Sequence, residues 1–191
     1  MNLRYLYALM GIFLLLAATA AAGSFTAEMD VDTYVDADQA NLSFTNNSLL
    51  WAASSGAEPT KLVYLSVINM FGAQGIFKPE QIASATLTLD AAKVDKPGNV
   101  KAYFLQGPTL ETTWYDKKDY NATVYSSPVN VDKAGSYTWD VTDIIKKAVE
   151  TCVDGCGYSI IMVAEDDASV AFTSSEASKE NKPILNYVTK D

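Results

Sequence analysis

Histidine is absent from the 191 residues, arginine occurs once, at Arg4, and cysteine twice, at Cys152 and Cys156. Each scarcity removes a class of function. Without histidine there is no ordinary neutral-pH acid or base, no imidazole to activate a serine or cysteine nucleophile, and no imidazole ligand for zinc. His-dependent triads and zinc hydrolase sites are therefore excluded. Positive charge is scarce as well: with Arg4 set aside, 13 lysines face 23 carboxylates, a net charge of −10 against −9 for the whole chain. A surface this acidic repels nucleic acid and attracts cations, so no nucleic-acid partner is expected.

There is one long apolar run, and it stands at the start. Residues 1–4 give a short basic beginning, residues 5–18 are unbroken apolar sequence, and Ala20, Ala21, Ala22 and Gly23 are the small residues a signal peptidase accepts. Residues 1–22 read as a secretory signal peptide and 23–191 as a single exported domain, free of the membrane after cleavage, the alternative being an uncleaved anchor because the apolar run approaches bilayer-spanning length. No cysteine follows the run to carry a lipid. In an exported chain, Cys152 and Cys156, spaced by Val-Asp-Gly just after a helix, read as a disulfide that closes a small loop.

Period-two alternation recurs along the chain. Residues 29–37 place Met29, Val31, Thr33 and Val35 on one side and Asp30, Asp32, Tyr34 and Asp36 on the other, which predicts a core face and a solvated acidic face. Strands are also predicted over 48–53, 61–69, 82–91, 100–106, 137–141, 158–164, 169–173 and 184–189. One segment, 142–150, breaks the pattern: Ile144, Ile145, Ala148 and Val149 form a helical stripe with Thr142 placed to cap it. Nine short strands and one helix describe an all-β fold, an antiparallel β-sandwich of jelly-roll type.

The order of these segments carries a family resemblance. Asp32-Thr-Tyr-Val-Asp near the mature start, Ser84-Ala-Thr-Leu-Thr-Leu, Glu111-Thr-Thr-Trp, Tyr137-Thr-Trp-Asp-Val-Thr-Asp-Ile-Ile with its helix, and the closing strands through Lys182-Pro-Ile-Leu-Asn-Tyr-Val resemble the DNRLRE or disaggregatase-related domains of secreted proteins. The resemblance spans about residues 30–189 and implies a β-sandwich, some relatives being carbohydrate-binding modules. The strand at Lys61 departs from the pattern, lacking the Arg and Phe-Asp often found there.

Candidate sites follow from chemistry. Sugar-binding sandwiches present aromatic rings to pyranose C–H faces with polar groups beside them. Residues 114–125, read as a loop, interleave rings and charge, so Trp114, Tyr115 and Tyr120 are the candidate platform, with Lys117 and Lys118 as the basic pair and Trp51 and Tyr103 as neighbours. Trp139 is expected in the core. Calcium is the one cofactor the residues suggest, through Asp36 or Asp38 with distant loop oxygens, because strand spacing spreads the carboxylates too far for one ion to collect all of them. Asn41, Asn46 and Asn121 head Asn-X-Ser/Thr sequons expected on loops. The expectation is a non-catalytic, exported module at the cell surface or in extracellular matrix that binds polysaccharide. The alternatives are a structural subunit of a surface layer, sheath or filament, self-associating through edge strands with residues 23–28 as donor, and a polysaccharide-degrading enzyme of disaggregatase type.

Overall fold

The computed structural model describes residues 22–29, 31–68, 71–152, 157–177 and 181–190. Its strands are β1 (Ser24–Glu28), β2 (Val31–Asp36), β3 (Leu49–Ser55), β4 (Glu58–Ile68), β5 (Ile82–Lys96) and β6 (Gly98–Gln106). They continue with β7 (Asn121–Tyr125), β8 (Val129–Val131) and β9 (Gly135–Asp140), then helix α1 (Thr142–Cys152) and strands β10 (Gly157–Ala164), β11 (Ser169–Thr173) and β12 (Ile184–Thr189). All nine predicted strands and the helix are present, in an all-β antiparallel fold. No helix among the described residues is long and apolar enough to cross a membrane.

The sheet path runs β1-β12-β5-β11-β3-β4-β10-β6-β7, with β2 added to β4, β8 to β6 and β9 to β5. The sheet folds over so that both halves share one core. Trp139 on β9 is fully buried, meets Phe172 on β11 edge-on at 5.7 Å, and donates its Nε1–H to the Val100 carbonyl on β6 at 2.8 Å. Helix α1 closes this core with Ile144, Ile145, Ala148 and Val149, all buried. Its capping carboxylate is Asp140 rather than the expected Thr142: Asp140 Oδ1 accepts from Thr142 N at 2.9 Å and Thr142 Oγ1 at 2.6 Å. The Thr142 hydroxyl oxygen is engaged elsewhere, accepting from Ala85 N at 2.9 Å.

Three strands lie outside the predicted set. β7 and β8 are short and weakly periodic. β1 pairs with β12 from Ser24↔Val188 to Glu28↔Ile184, so the tail expected to reach a neighbouring copy is used within its own chain.

The acidic face predicted for β2 is a second correction. Register with β4 sets Asp32 opposite Leu65, Tyr34 opposite Val63 and Asp36 opposite Lys61, which turns the even positions toward the main core. Asp32 and Asp36 are 1% and 0% exposed. Each survives burial by accepting hydrogen bonds. Asp32 Oδ2 accepts from Ser175 N at 2.6 Å, and Asp36 accepts from Asp38 N at 3.0 Å while pairing with Lys61 at 2.5 Å. Val35, on the other side, joins a second apolar cluster with Leu62, Tyr64, Leu105, Ile161 and Val163. Both faces of this half of the sheet are covered, and what covers the outer one is the loop of residues 107–120.

Candidate functional site

The loop leaves β6 at Gly107, whose φ of +90° is open to glycine at little cost. It is then latched to the sheet by hydroxyls. Ser66 Oγ on β4 donates to the Thr109 carbonyl at 2.7 Å and accepts from Thr109 N at 2.9 Å, while Ser159 Oγ on β10 lies 3.1 Å from the Gly107 carbonyl it donates to. Farther along, Asp116 Oδ1 accepts from Thr113 N at 2.5 Å and Thr113 Oγ1 at 2.7 Å, which holds the Asp116 carboxyl below the usual carboxylate range. Lys118 Nζ donates back to the Pro108 carbonyl at 3.1 Å, and the Tyr64 hydroxyl donates up from the sheet to the Lys118 carbonyl at 3.3 Å. With its ends tied together and its middle internally bonded, the segment is an Ω-loop, a rigid carrier for side chains.

The carried side chains are rings. Trp114 and Tyr120 pack onto the outer cluster beside Tyr103 of β6. Tyr103 lies 4.6 Å from Tyr120 and 5.6 Å from Tyr125, so three tyrosines form a strip across β6 and β7. Beside it, Trp114, Tyr120, Leu62, Glu58, Lys117 and Asp119 line a cleft of about 440 Å³. Lys117 Nζ stands 4.2 Å over the indole of Trp114, and Lys101 Nζ lies 5.6 Å from the Tyr125 ring while pairing with Glu165 at 2.8 Å. Burial pushes the Tyr103 and Tyr120 hydroxyls above the ordinary tyrosine value, so both are neutral donors and acceptors at any physiological pH. The cleft thus offers flat apolar faces, one ammonium and two carboxylates within a small volume.

The expected platform is partly regrouped. Trp114, Tyr120 and Lys117 line the cleft together. Lys118 turns to the neighbouring depression on the far side of Tyr120. Tyr115, 75% exposed, projects from the loop and does not line the cleft. Tyr120 is half-buried, and residues 121–125 are strand β7 rather than loop. Tyr103 stands beside the loop as expected. Trp51 does not: on β3, it lies instead under the Lys61 and Lys93 ammoniums, at 5.9 and 5.2 Å. Tyr125, Glu58 and Asp119 were not singled out from sequence. Alternation in β6 sets Lys101, Tyr103 and Leu105 opposite the core residues Val100, Ala102 and Phe104, a usable signal for Tyr103.

Asp36 is committed to Lys61 and to the turn that follows it, and Asp38 is exposed. Among the described residues no three Asp, Glu or Cys side chains gather as a metal shell. Asn41 and Asn46 lie exposed between β2 and β3, as expected of sequons. Asn121 does not lie on a loop: it opens β7, and its Oδ1 accepts from Thr123 N at 2.9 Å and Thr123 Oγ1 at 2.7 Å. The expected leader over 1–22 and the Cys152–Cys156 disulfide fall, but for Ala22 and the backbone of Cys152, outside the described residues.

No curated protein matches the chain. A family model described as carbohydrate-binding module family 96 matches residues 24–189, from the first strand to the last. The match supports the carbohydrate-binding side of the resemblance to DNRLRE and disaggregatase-related domains without bearing out those names. On that match, the chain belongs to carbohydrate-binding module family 96.

Proposed function

We propose that this protein is an exported, non-catalytic module that binds polysaccharide at the cleft between Trp114 and Tyr120. The observation that carries the reading is the convergence of Trp114 and Tyr120 on one cleft, both on a loop latched to the sheet, with Tyr103 of β6 packed behind Tyr120 at 4.6 Å. Rings held in place before the ligand arrives lose little conformational freedom on binding, which is where a stacking site gains affinity. A pyranose ring stacks its C–H face on the aromatic surface while Glu58, Asp119 and the tyrosine hydroxyls meet its hydroxyl groups. Lys117 takes part by moving: its ammonium covers the indole at 4.2 Å and donates to the Trp114 carbonyl at 3.3 Å, a half-buried cation–π contact and a hydrogen bond that together cost about 1–2 kcal/mol to open. The displaced ammonium then faces the sugar's oxygens.

Retention on affinity gels of cellulose, xylan, chitin, alginate and polygalacturonate tests the reading. The parent should be retained by at least one gel, Trp114→Ala and Tyr120→Ala should lose that retention, and Tyr115→Ala should keep it. Thermal melts of each variant establish that the fold persists. A parent that binds no member of the panel, or a Tyr115→Ala variant that alone loses binding, would refute the assignment.

A further inference from the structure

The cleft at Trp114 does not end at Tyr120. Tyr120 and Asp119 also line a depression of about 460 Å³ on the other side, together with Lys118, Asn121 and Lys147. Lys147 in turn lines a third hollow of about 470 Å³, between β7 and helix α1, walled by Thr123, Tyr125, Lys146 and Glu150. Asp119 and Tyr120 wall both the first and the second, and Lys147 both the second and the third, so the three hollows lie in a row.

We infer that this row of hollows is one groove that binds one carbohydrate chain over several consecutive sugar units, with a hydrogen-bonding subsite between β7 and α1 at Lys146 and Glu150. The inference rests on the polysaccharide-binding reading above and adds a site to it. The α1 end differs in chemistry from the Trp114 end. Its apolar stripe is spent on the core, so the helix presents Asp143, Lys146, Lys147 and Glu150 to the hollow. Their pairs, Lys146–Asp143 at 3.5 Å and Lys147–Glu150 at 2.7 Å, have side chains between 31% and 80% exposed, so they are weak and reorganise readily around a polyhydroxylated ligand. Among the described residues β7 pairs only with β6, which leaves one backbone edge of β7 facing the groove.

That free edge raises a rival occupant, a peptide adding as a further strand. The register speaks against it. Tyr103 pairs with Tyr125 and the next residue, Phe104, with Asn121, so residues 122–124 bulge out of the ladder. A bulged edge is a poor template for strand addition, whereas a sugar chain needs only scattered donors and acceptors. Asn121 lies midway along the groove, so a glycan on its sequon would fill it. The test therefore uses protein made without N-glycosylation.

Titration calorimetry with a ladder of oligosaccharides of increasing length, taken from whichever of the five polysaccharides retains the parent, reads the groove directly. In the parent, affinity for the recognised ladder should keep rising beyond the shortest oligomer that binds. In the Lys146→Gln/Glu150→Gln variant, which touches no core residue, the longest oligomer should lose about tenfold in affinity, the worth of one charge-assisted hydrogen bond. The shortest should bind as before. Equal length dependence in parent and variant would overturn the extended groove and leave the Trp114 site standing. A parent that is retained by none of the five gels and binds no oligomer would overturn both.

Discussion

Replacing Ser66 by Ala should loosen the loop that carries Trp114 and Tyr120 while leaving the sheet intact. Ser66 Oγ makes two hydrogen bonds to one residue, donating to the Thr109 carbonyl at 2.7 Å and accepting from Thr109 N at 2.9 Å. Ser66 is fully buried and Thr109 nearly so, and no water replaces the lost hydroxyl unless the loop lifts. A buried backbone donor or acceptor left unmade costs about 1–3 kcal/mol, so losing both predicts a loss of at least about 2 kcal/mol. For a domain of this size each kcal/mol lowers Tm by about 2–4 °C, which sets the expected fall at about 4 °C or more.

Ser159→Ala supplies the control through proton accounting. Its single hydroxyl proton serves the Gly107 carbonyl at 3.1 Å, with Ser66 Oγ at 3.2 Å and Thr109 Oγ1 at 3.3 Å as weaker neighbours. No backbone N–H depends on it, so the cost should be about 1 kcal/mol. Calorimetric melts measure the ranking, and amide exchange at Thr109 locates the effect, since local opening exposes that N–H before the sheet unfolds. Equal losses for the two variants, or a Ser66→Ala protein that melts within a degree of the parent, would refute the latch.

Trp139→Phe should lower stability by about 2–4 kcal/mol in urea melts, through lost volume and an unpaired Val100 carbonyl, with no direct effect on sugar retention. Asp32 gives a pH signature. Burial outweighs its bond to Ser175 and raises its carboxyl above the ordinary 3.8, and its Oδ1 meets no partner among the described residues. A raised acid favours the protonated fold, so relative to Asp32→Asn the parent should lose stability as pH rises through and above 3.8, and the two should converge in more acidic buffer; melts across pH check it, and a difference that grows toward acid would contradict the sign. The Cys152–Cys156 pair should take no alkylating label without reduction, read by mass spectrometry.

Where sequence reading succeeded, one physical quantity decided the outcome. Leu87, Leu89 and Trp139 alternate with threonines because one side of their strands meets the core and the other meets water, and period two records that contrast. β2 has no such contrast, since its residues are covered on both sides, and its alternation of Val with Asp says only that two environments differ. The inference that the acidic one was solvent failed because buried carboxylates can be held by Ser175 N, Asp38 N and Lys61. Alternation fixes parity, and parity alone does not say which face is inside.

The loop of residues 107–120 has no period at all, so its shape was beyond any pattern argument, and with it the grouping of Trp114 with Tyr103 and the separation of Tyr115 from both. Yet its anchors left a mark in the strands. Ser66 interrupts the apolar run of β4, and Ser159 that of β10, each at a position where both neighbours are buried. A small hydroxyl in a strand covered on both faces is costly unless it is bonded, and within a ladder its own backbone is already spent on adjacent strands. Its partner must then come from outside the sheet. Two such serines, paired in register on adjacent strands, therefore mark the place where a loop must come down on the outer face. The rings of the proposed cleft, Trp114 and Tyr120, arrive on the loop the serines hold.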